Sequence, residues 1–455
     1  MHNHDTIAAI ATPSGIGGVG IIRISGPDAG KIARHIFLPK QKDCLWKSHH
    51  LYYGDIIAAD GKTILDEVLA VLMPGPHSFT GEDVLEINCH GSPVILQAIL
   101  AELVQSGCRL AEPGEFSQRA FLNGRIDLSQ AEALAALIAA RSEKARAIAL
   151  AHLKGALGAE IESLRLSLID ALALTEVSID FMEDAADQGV TEILPQLDKL
   201  LMRLQVLLDS YQRAKVYTEG LNVVIIGKPN VGKSSLLNIL TGRKRAIVTD
   251  IPGTTRDFIT DQIHIRGLPV NIMDTAGIRQ PHDIIEKEGI DLVWENLAAA
   301  DLVIILLDGS KPLTGDDQKI FDAVANKKYL IAINKTDLPL AWELSELAPD
   351  CKKIKISAKF GIGINELKGA IVAGAGAGEE EDSGAVMITS MRHKIALENA
   401  LNNIKRAKEN AACGMSPELT AFDLREALDS LDEITGKKIN DEILDKIFSS
   451  FCIGK

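Results

Sequence analysis

Strand-length apolar runs open the chain. Up to about residue 118, β-prone stretches such as 19–24 and 84–87 alternate with glycine-rich turns, including GIGGVG at 15–20. Short apolar runs punctuated by Gly and Pro predict a compact α+β domain. GIGGVG resembles a nucleotide loop, but no Lys follows it and the next segment, IIRIS, is β-prone, so turns that need positive φ are the better reading.

From about 127 to 214 the pattern turns helical and rich in Ala and Leu, with a capping box expected at Ser129 and Glu132. Leu150, Leu153, Leu157, Ile161, Leu164 and Leu168 are three or four apart, which predicts one face of a single long helix. A second helical block follows the Gly-Ala and acidic run at 374–385. Between the two blocks, strand-like runs at 223–226, 303–307, 330–333 and 354–356 alternate with helical stretches, the pattern of a parallel α/β sheet. The expected fold class is multidomain, α/β plus α+β. It comprises an N-terminal α+β domain over 1–118, a discontinuous α-helical bundle over 119–215 and 376–455, and an inserted domain with a mostly parallel sheet over 216–375.

The length, 455 residues, suits that division at about 150 residues per domain. With 46% hydrophobic and 24% charged residues, most of the chain should fold. Lys plus Arg is 48 against 62 for Asp plus Glu, a net charge of −14. That balance argues against a long non-specific grip on naked nucleic acid, which runs on clustered Lys and Arg, and leaves room for a local basic patch or a basic partner subunit. The cysteines (44, 89, 108, 351, 413 and 452) lack zinc spacing and read as reduced thiols. MHNHDTIAAIATPSG has no basic and apolar regions of a secretory signal, and no apolar run reaches the roughly 18 residues of a membrane span, so a cytoplasmic protein is expected.

Chemistry enters directly after the 223–226 run, with GKPNVGKS at 227–234 and a helix-prone 235–240. This is the P-loop pattern: backbone N–H groups wrap phosphates at a helix N-terminus, Lys233 meets the β and γ oxygens, and the Ser234 hydroxyl suits Mg²⁺. The cradle would be the run Asn230, Val231, Gly232, Lys233, Ser234 and Ser235. Thr254 and Thr255 stand where a switch threonine completes the Mg²⁺ shell, and Asp274-Thr275-Ala276-Gly277 offers a carboxylate for a metal water and an N–H for the γ-phosphate. Asn334-Lys335-Thr336-Asp337 ends another apolar run and fixes the base, since Asp337 accepts from the paired N–H donors of guanine that adenine lacks. Ser357-Ala358-Lys359 completes the guanine pocket. Motifs in this order, each at a strand's C-terminal end, point to guanine nucleotide binding with hydrolysis of GTP. Ile278 stands where many signalling GTPases have Gln, and no arginine finger is evident, a group worth roughly 10³ to 10⁵ in rate. Asn230 offers a carbonyl suited to a monovalent cation.

The P-loop with Asn230, the DIPGTTRD switch at 250–257, SFTGEDVLEINCHG at 78–91, PGEFSQRAFLNGRIDLSQAE at 113–132 and the ending FCIGK at 451–455 together resemble the MnmE (TrmE) family of tRNA modification GTPases, over essentially the whole chain. The resemblance implies a GTPase in which K⁺ replaces the arginine finger, held by Asn230, Thr249, Ile251 and Thr254, with Mg²⁺ on Ser234 and Thr255 and with Glu286 orienting the attacking water. It implies an N-terminal domain that binds 5-formyl-tetrahydrofolate or a related reduced folate at Arg23, Glu86 and Arg125, where the family can have Lys. Lys455 would help to hold that folate, and Cys452 would be a candidate nucleophile. The implied partners are a second copy of the chain, an FAD-containing subunit of the MnmG kind, and tRNA, whose wobble uridine is modified at carbon 5. The alternative is a ribosome-assembly GTPase resembling Era or EngA; it predicts a basic RNA-binding module, which the sequence does not display.

Overall fold

The structure, a computed structural model, describes residues 5–41, 46–180, 186–242, 260–274, 297–343, 351–376 and 386–454. It divides into two compact units, one of Met1–Ile138, Ala149–Leu201 and Ile395–Lys455, the other of Ala139–Ile148 and Met202–Lys394.

The first unit is built on a seven-stranded sheet, β1 (Ile7–Ile10), β2 (Gly17–Ser25), β3 (Phe37–Pro39), β4 (Leu51–Ile57), β5 (Ile64–Met73), β6 (Val84–Gly91) and β7 (Arg109–Leu110), in the order β3-β4-β5-β6-β2-β1-β7. The pairs are antiparallel except β1 with β7. Alternating residues of β2, β4 and β6, among them Ile22, Ile24, Ile56 and Ile87, face the helices Ala29–Ile36 and Pro93–Gln105, whose Ile32, Ile36, Leu96, Ile99 and Leu103 close the core. The α+β expectation is met. GIGGVG runs straight into β2, and of its glycines only Gly15 has positive φ (134°), so the turn reading holds for that residue alone.

Two sequence expectations for the helical segments need correction. The single long helix is two, Glu143–Leu153 and Ala156–Asp180, because Gly155 adopts φ 90° and ends the first. Leu157, Ile161, Leu164 and Leu168 form the buried stripe of the second, while Leu150 and Leu153 are only half-buried. The capping box lies earlier than Ser129 and Glu132. Asp127 Oδ1 accepts from Gln130 N at 2.8 Å and Gln130 Oε1 accepts from Asp127 N at 2.9 Å, opening the helix Leu128–Ala139. The helix Pro417–Thr435, from the C-terminal block, packs along Ala156–Asp180, with Arg165 Nε 2.7 Å from Asp432 Oδ1. Both helical blocks thus contribute to one bundle.

The second unit holds a six-stranded sheet, β8 (Leu221–Ile226), β9 (Thr260–Ile265), β10 (Leu268–Asp274), β11 (Leu302–Asp308), β12 (Tyr329–Asn334) and β13 (Lys353–Lys355), ordered β13-β12-β11-β8-β10-β9. It is parallel except where β9 pairs antiparallel to β10. LVIILLD of β11 is buried throughout, as a strand covered on both faces must be. β8 lies between β10 and β11; after β8 the chain fills one side with β9 and β10 and then crosses to β11 on the other, so the loop after β8 opens at the switch point of the sheet, where open α/β folds take ligands.

Candidate functional site

The loop after β8 delivers Gly227 to Ser234 to the N-terminus of the helix Lys233–Thr241, whose cap is Gly232. Lys233 Nζ donates to the carbonyls of Gly227 (2.6 Å) and Lys228 (3.0 Å), which curls the loop around the ammonium. Asn230 sits at the exposed apex with φ 64°, a left-handed conformation that Asn tolerates better than most residues. Val231 is buried beneath the loop, and Ser234 and Ser235 are exposed in the first turn of the helix, whose backbone N–H groups have no partner within the helix itself.

At the neighbouring strand end, Asn334 joins the two halves of the site. Its Nδ2 donates to Val231 O at 2.7 Å, and its Oδ1 accepts from Ala358 N at 2.9 Å, so a single buried side chain ties the phosphate loop to the segment after β13. Asp337 is exposed, and its Oδ1 accepts from the buried Ser357 hydroxyl at 2.6 Å. Lys335 Nζ lies 2.6 Å from Asp308 Oδ2 at the end of β11. Burial pushes the Asp308 carboxyl up, but hydrogen bonds from Lys335 and Ser310 outweigh it and hold its pKa below the ordinary value. Lys359 Nζ stands 5.1 Å from the ring centroid of Phe360, an exposed aromatic in the segment after β13. β10 ends at Asp274, in register with Ile225 of β8, which sets its backbone beside the base of the phosphate loop. Thr249, Ile251, Thr254, Thr255, Gly277 and Glu286 lie outside the described residues, as does Lys455.

In the other unit, the antiparallel register of β2 and β6 places Arg23 opposite Glu86, and the pair closes at 2.8 Å. Each side chain is only about one-fifth exposed (21% and 23%), so this is a half-buried pair and not a surface one. The Arg23 guanidinium stands 5.5 Å from the Phe79 ring and 5.7 Å from Phe116, and its Nη1 donates to Gly454 O at 3.3 Å. The C-terminal tail therefore lies against the N-terminal sheet, and Cys452 O accepts from Gly114 N. Cys452 itself is exposed, unlike Cys89 and Cys108, whose thiols burial pushes up to about 11 and about 12. Arg125 Nε donates to Ser78 O at 3.1 Å, next to Phe79.

A family model described as the MnmE helical domain matches residues 128–452, and one described as the GTP-binding protein TrmE N-terminus matches residues 6–125. The chain is 49% identical to the tRNA modification GTPase MnmE of Syntrophus aciditrophicus, over 99% of both chains. It belongs to the MnmE (TrmE) family. The MnmE proteins of Carboxydothermus hydrogenoformans (46% identical over 99% of both chains) and Acetivibrio thermocellus (44% over the whole of both) agree. Full-length similarity to MnmE sets aside the ribosome-assembly reading of the same guanine motifs.

One cluster in the MnmE N-terminal segment went unread in the sequence. Arg119, with 9% of its side chain exposed, meets Asp5 Oδ1 at 2.6 Å, Glu115 Oε1 at 2.9 Å and Glu82 Oε2 at 3.2 Å, and Arg109 also binds Asp5 and Glu115. Burial raises the pKa of Asp5 and of Glu115, but bonds from the two arginines outweigh it and hold both carboxyls down. Ser25 Oγ donates to Glu82 Oε2 at 2.7 Å, so the network fastens β2 to the loop that carries Ser78 and Phe79, beside Arg23. Its one local signal was the i,i+4 pair Glu115 and Arg119; the other carboxylates come from far along the chain. Among the described residues, no helix is long and apolar enough to cross a membrane.

Proposed function

We infer that the chain hydrolyses GTP in tRNA modification, as its relatives, tRNA modification GTPases, do. The observation that carries this reading is Asn334, which holds the phosphate loop through Val231 and the base-side loop through Ala358 while Ser357 orients Asp337. Binding, not covalent chemistry, is the main task in phosphoryl transfer: the loop N–H groups and Lys233 hold and neutralise the phosphates, and Ser234 with Thr255 would hold Mg²⁺. K⁺ on Asn230, Thr249, Ile251 and Thr254 would supply the positive charge that a finger supplies elsewhere, and the left-handed, exposed backbone at Asn230 leaves its amide free to turn toward such an ion. Glu286 would orient the water. Hydrolysis at equal ionic strength is expected to run at least about tenfold faster in KCl than in NaCl, with Asn230→Ala erasing the difference and Glu286→Ala slowing turnover while GDP still binds. Equal wild-type rates in the two salts would rule out the cation's role.

The finer reading joins the N-terminal site to the modification chemistry. A half-buried carboxylate at Glu86 suits the amino-pyrimidine edge of a reduced folate, and Arg23 and Arg125 suit its carboxylates. The tail bond from Arg23 to Gly454 supports the placement of Cys452 and Lys455 near the same ligand, as nucleophile and cofactor contact. A homodimer joined by an MnmG-like flavoprotein, acting in the cytoplasm on carbon 5 of the wobble uridine, completes the proposal. Calorimetry with 5-formyl-tetrahydrofolate is expected to show binding weakened about tenfold or more by Arg23→Ala and by Glu86→Ala. Unchanged affinity in both variants would remove the assignment; full tRNA modification by Cys452→Ser would retire the thiol's role.

A further inference from the structure

Resting on the GTPase reading, we propose that Lys228 and Asp317 form a clamp that positions the phosphate loop and sets how long the nucleotide stays bound. Lys228 occupies a variable place in the P-loop pattern, where the motif demands no side chain. Its ammonium donates to Asp317 Oδ2 at 2.6 Å and to Thr314 Oγ1 at 3.1 Å. Its carbonyl, one peptide away, accepts from Lys233 Nζ. One residue therefore holds the loop lysine with its backbone and anchors that backbone with its side chain.

The anchor is stiff. Asp317 is 3% exposed and belongs to the capping box that opens the helix Gly315–Ala323, where the same Oδ2 accepts from Thr314 N at 2.8 Å. That helix follows β11, the strand beside β8, so the clamp ties the loop after one strand to the helix after its neighbour. With side-chain exposures of 25% and 5% the pair is shielded from salt, and cutting it leaves a buried carboxylate without its cation. Without the bridge, the peptide of residue 228 is free to turn its carbonyl away from Lys233, and the phosphates lose a fixed ammonium. Lys228 and Asp317 act through the loop and are positioning residues, not catalytic ones.

The test is release of a fluorescent GDP analogue from the full chain. Lys228→Met and Asp317→Asn are each expected to speed release about tenfold, and the double variant to be no faster than the quicker single, because both remove one interaction. Lys228→Arg should restore slow release. Guanosine, which has no phosphates, should bind Asp317→Asn within about twofold of wild type, whereas a weakened helix would loosen both ligands alike. Release within about twofold of wild type in both single variants, effects that multiply in the double, or an equal loss of guanosine would overturn the clamp. Should Asp317→Asn fail to fold, Lys228→Met against Lys228→Arg decides. A wild-type chain that takes up no nucleotide would overturn the GTPase reading, and the clamp with it.

Discussion

Gly232→Ala is expected to raise the Kd for GDP at least roughly 30-fold while leaving the far-UV circular dichroism unchanged. Gly232 caps the helix after the phosphate loop with φ 104°, where an L-residue costs about 1–2 kcal/mol. Space is the harder limit, since a Cβ there would stand 2.3 Å from Asn334 Nδ2. That amide must then move, and its bond to Val231 O breaks. A buried acceptor left without its donor costs about 1–3 kcal/mol, so the two terms together reach about 2–5 kcal/mol. Because Asn334 also receives Ala358 N, the displacement disturbs the phosphate side and the base side at once. Titration of a fluorescent GDP analogue reads the loss; affinity within about fivefold of wild type would show that the loop tolerates the methyl group.

Asp337→Asn is expected to cost GDP at least roughly 100-fold in affinity and to create binding of xanthosine diphosphate. The carboxylate accepts two guanine N–H bonds in this reading, and hydrogen bonds to a charged group are worth about 1.5–3 kcal/mol each. Ser357 Oγ already donates to Asp337 Oδ1, so in the variant it keeps the amide oxygen on its own side and turns the NH₂ toward the base. An NH₂ opposes the amino group of guanine but pairs with the second carbonyl of xanthine. Competition between the two diphosphates for the variant checks the exchange. If GDP still wins, Asp337 does not read the base.

The strands were legible because a buried strand must be apolar over its own length. The runs at 223–226, 303–307 and 330–333 fall within β8, β11 and β12. Phosphate binding was legible for the same local reason, since a tight loop, its glycines and a lysine at a helix N-terminus are neighbours in sequence as well as in space. The helix break at Gly155 was written in the sequence and overridden by an apolar stripe that continues in spacing across it. The cap at Asp127 was present as Asp-x-x-Gln, one of two overlapping patterns that only the geometry separates.

By itself, then, the chain's sequence determined where the strand-rich and helical stretches lie, the guanine nucleotide motifs and the family. The tertiary structure decided which charged and polar groups meet. Lys228 and Asp317 are 89 residues apart, Arg119 and Asp5 114, and Arg23 and Gly454 431. Burial leaves a periodic trace wherever it occurs, but a lysine or carboxylate reads alike whether solvated or paired. Its partner is chosen only when the sheet order brings two loop ends or strand faces together.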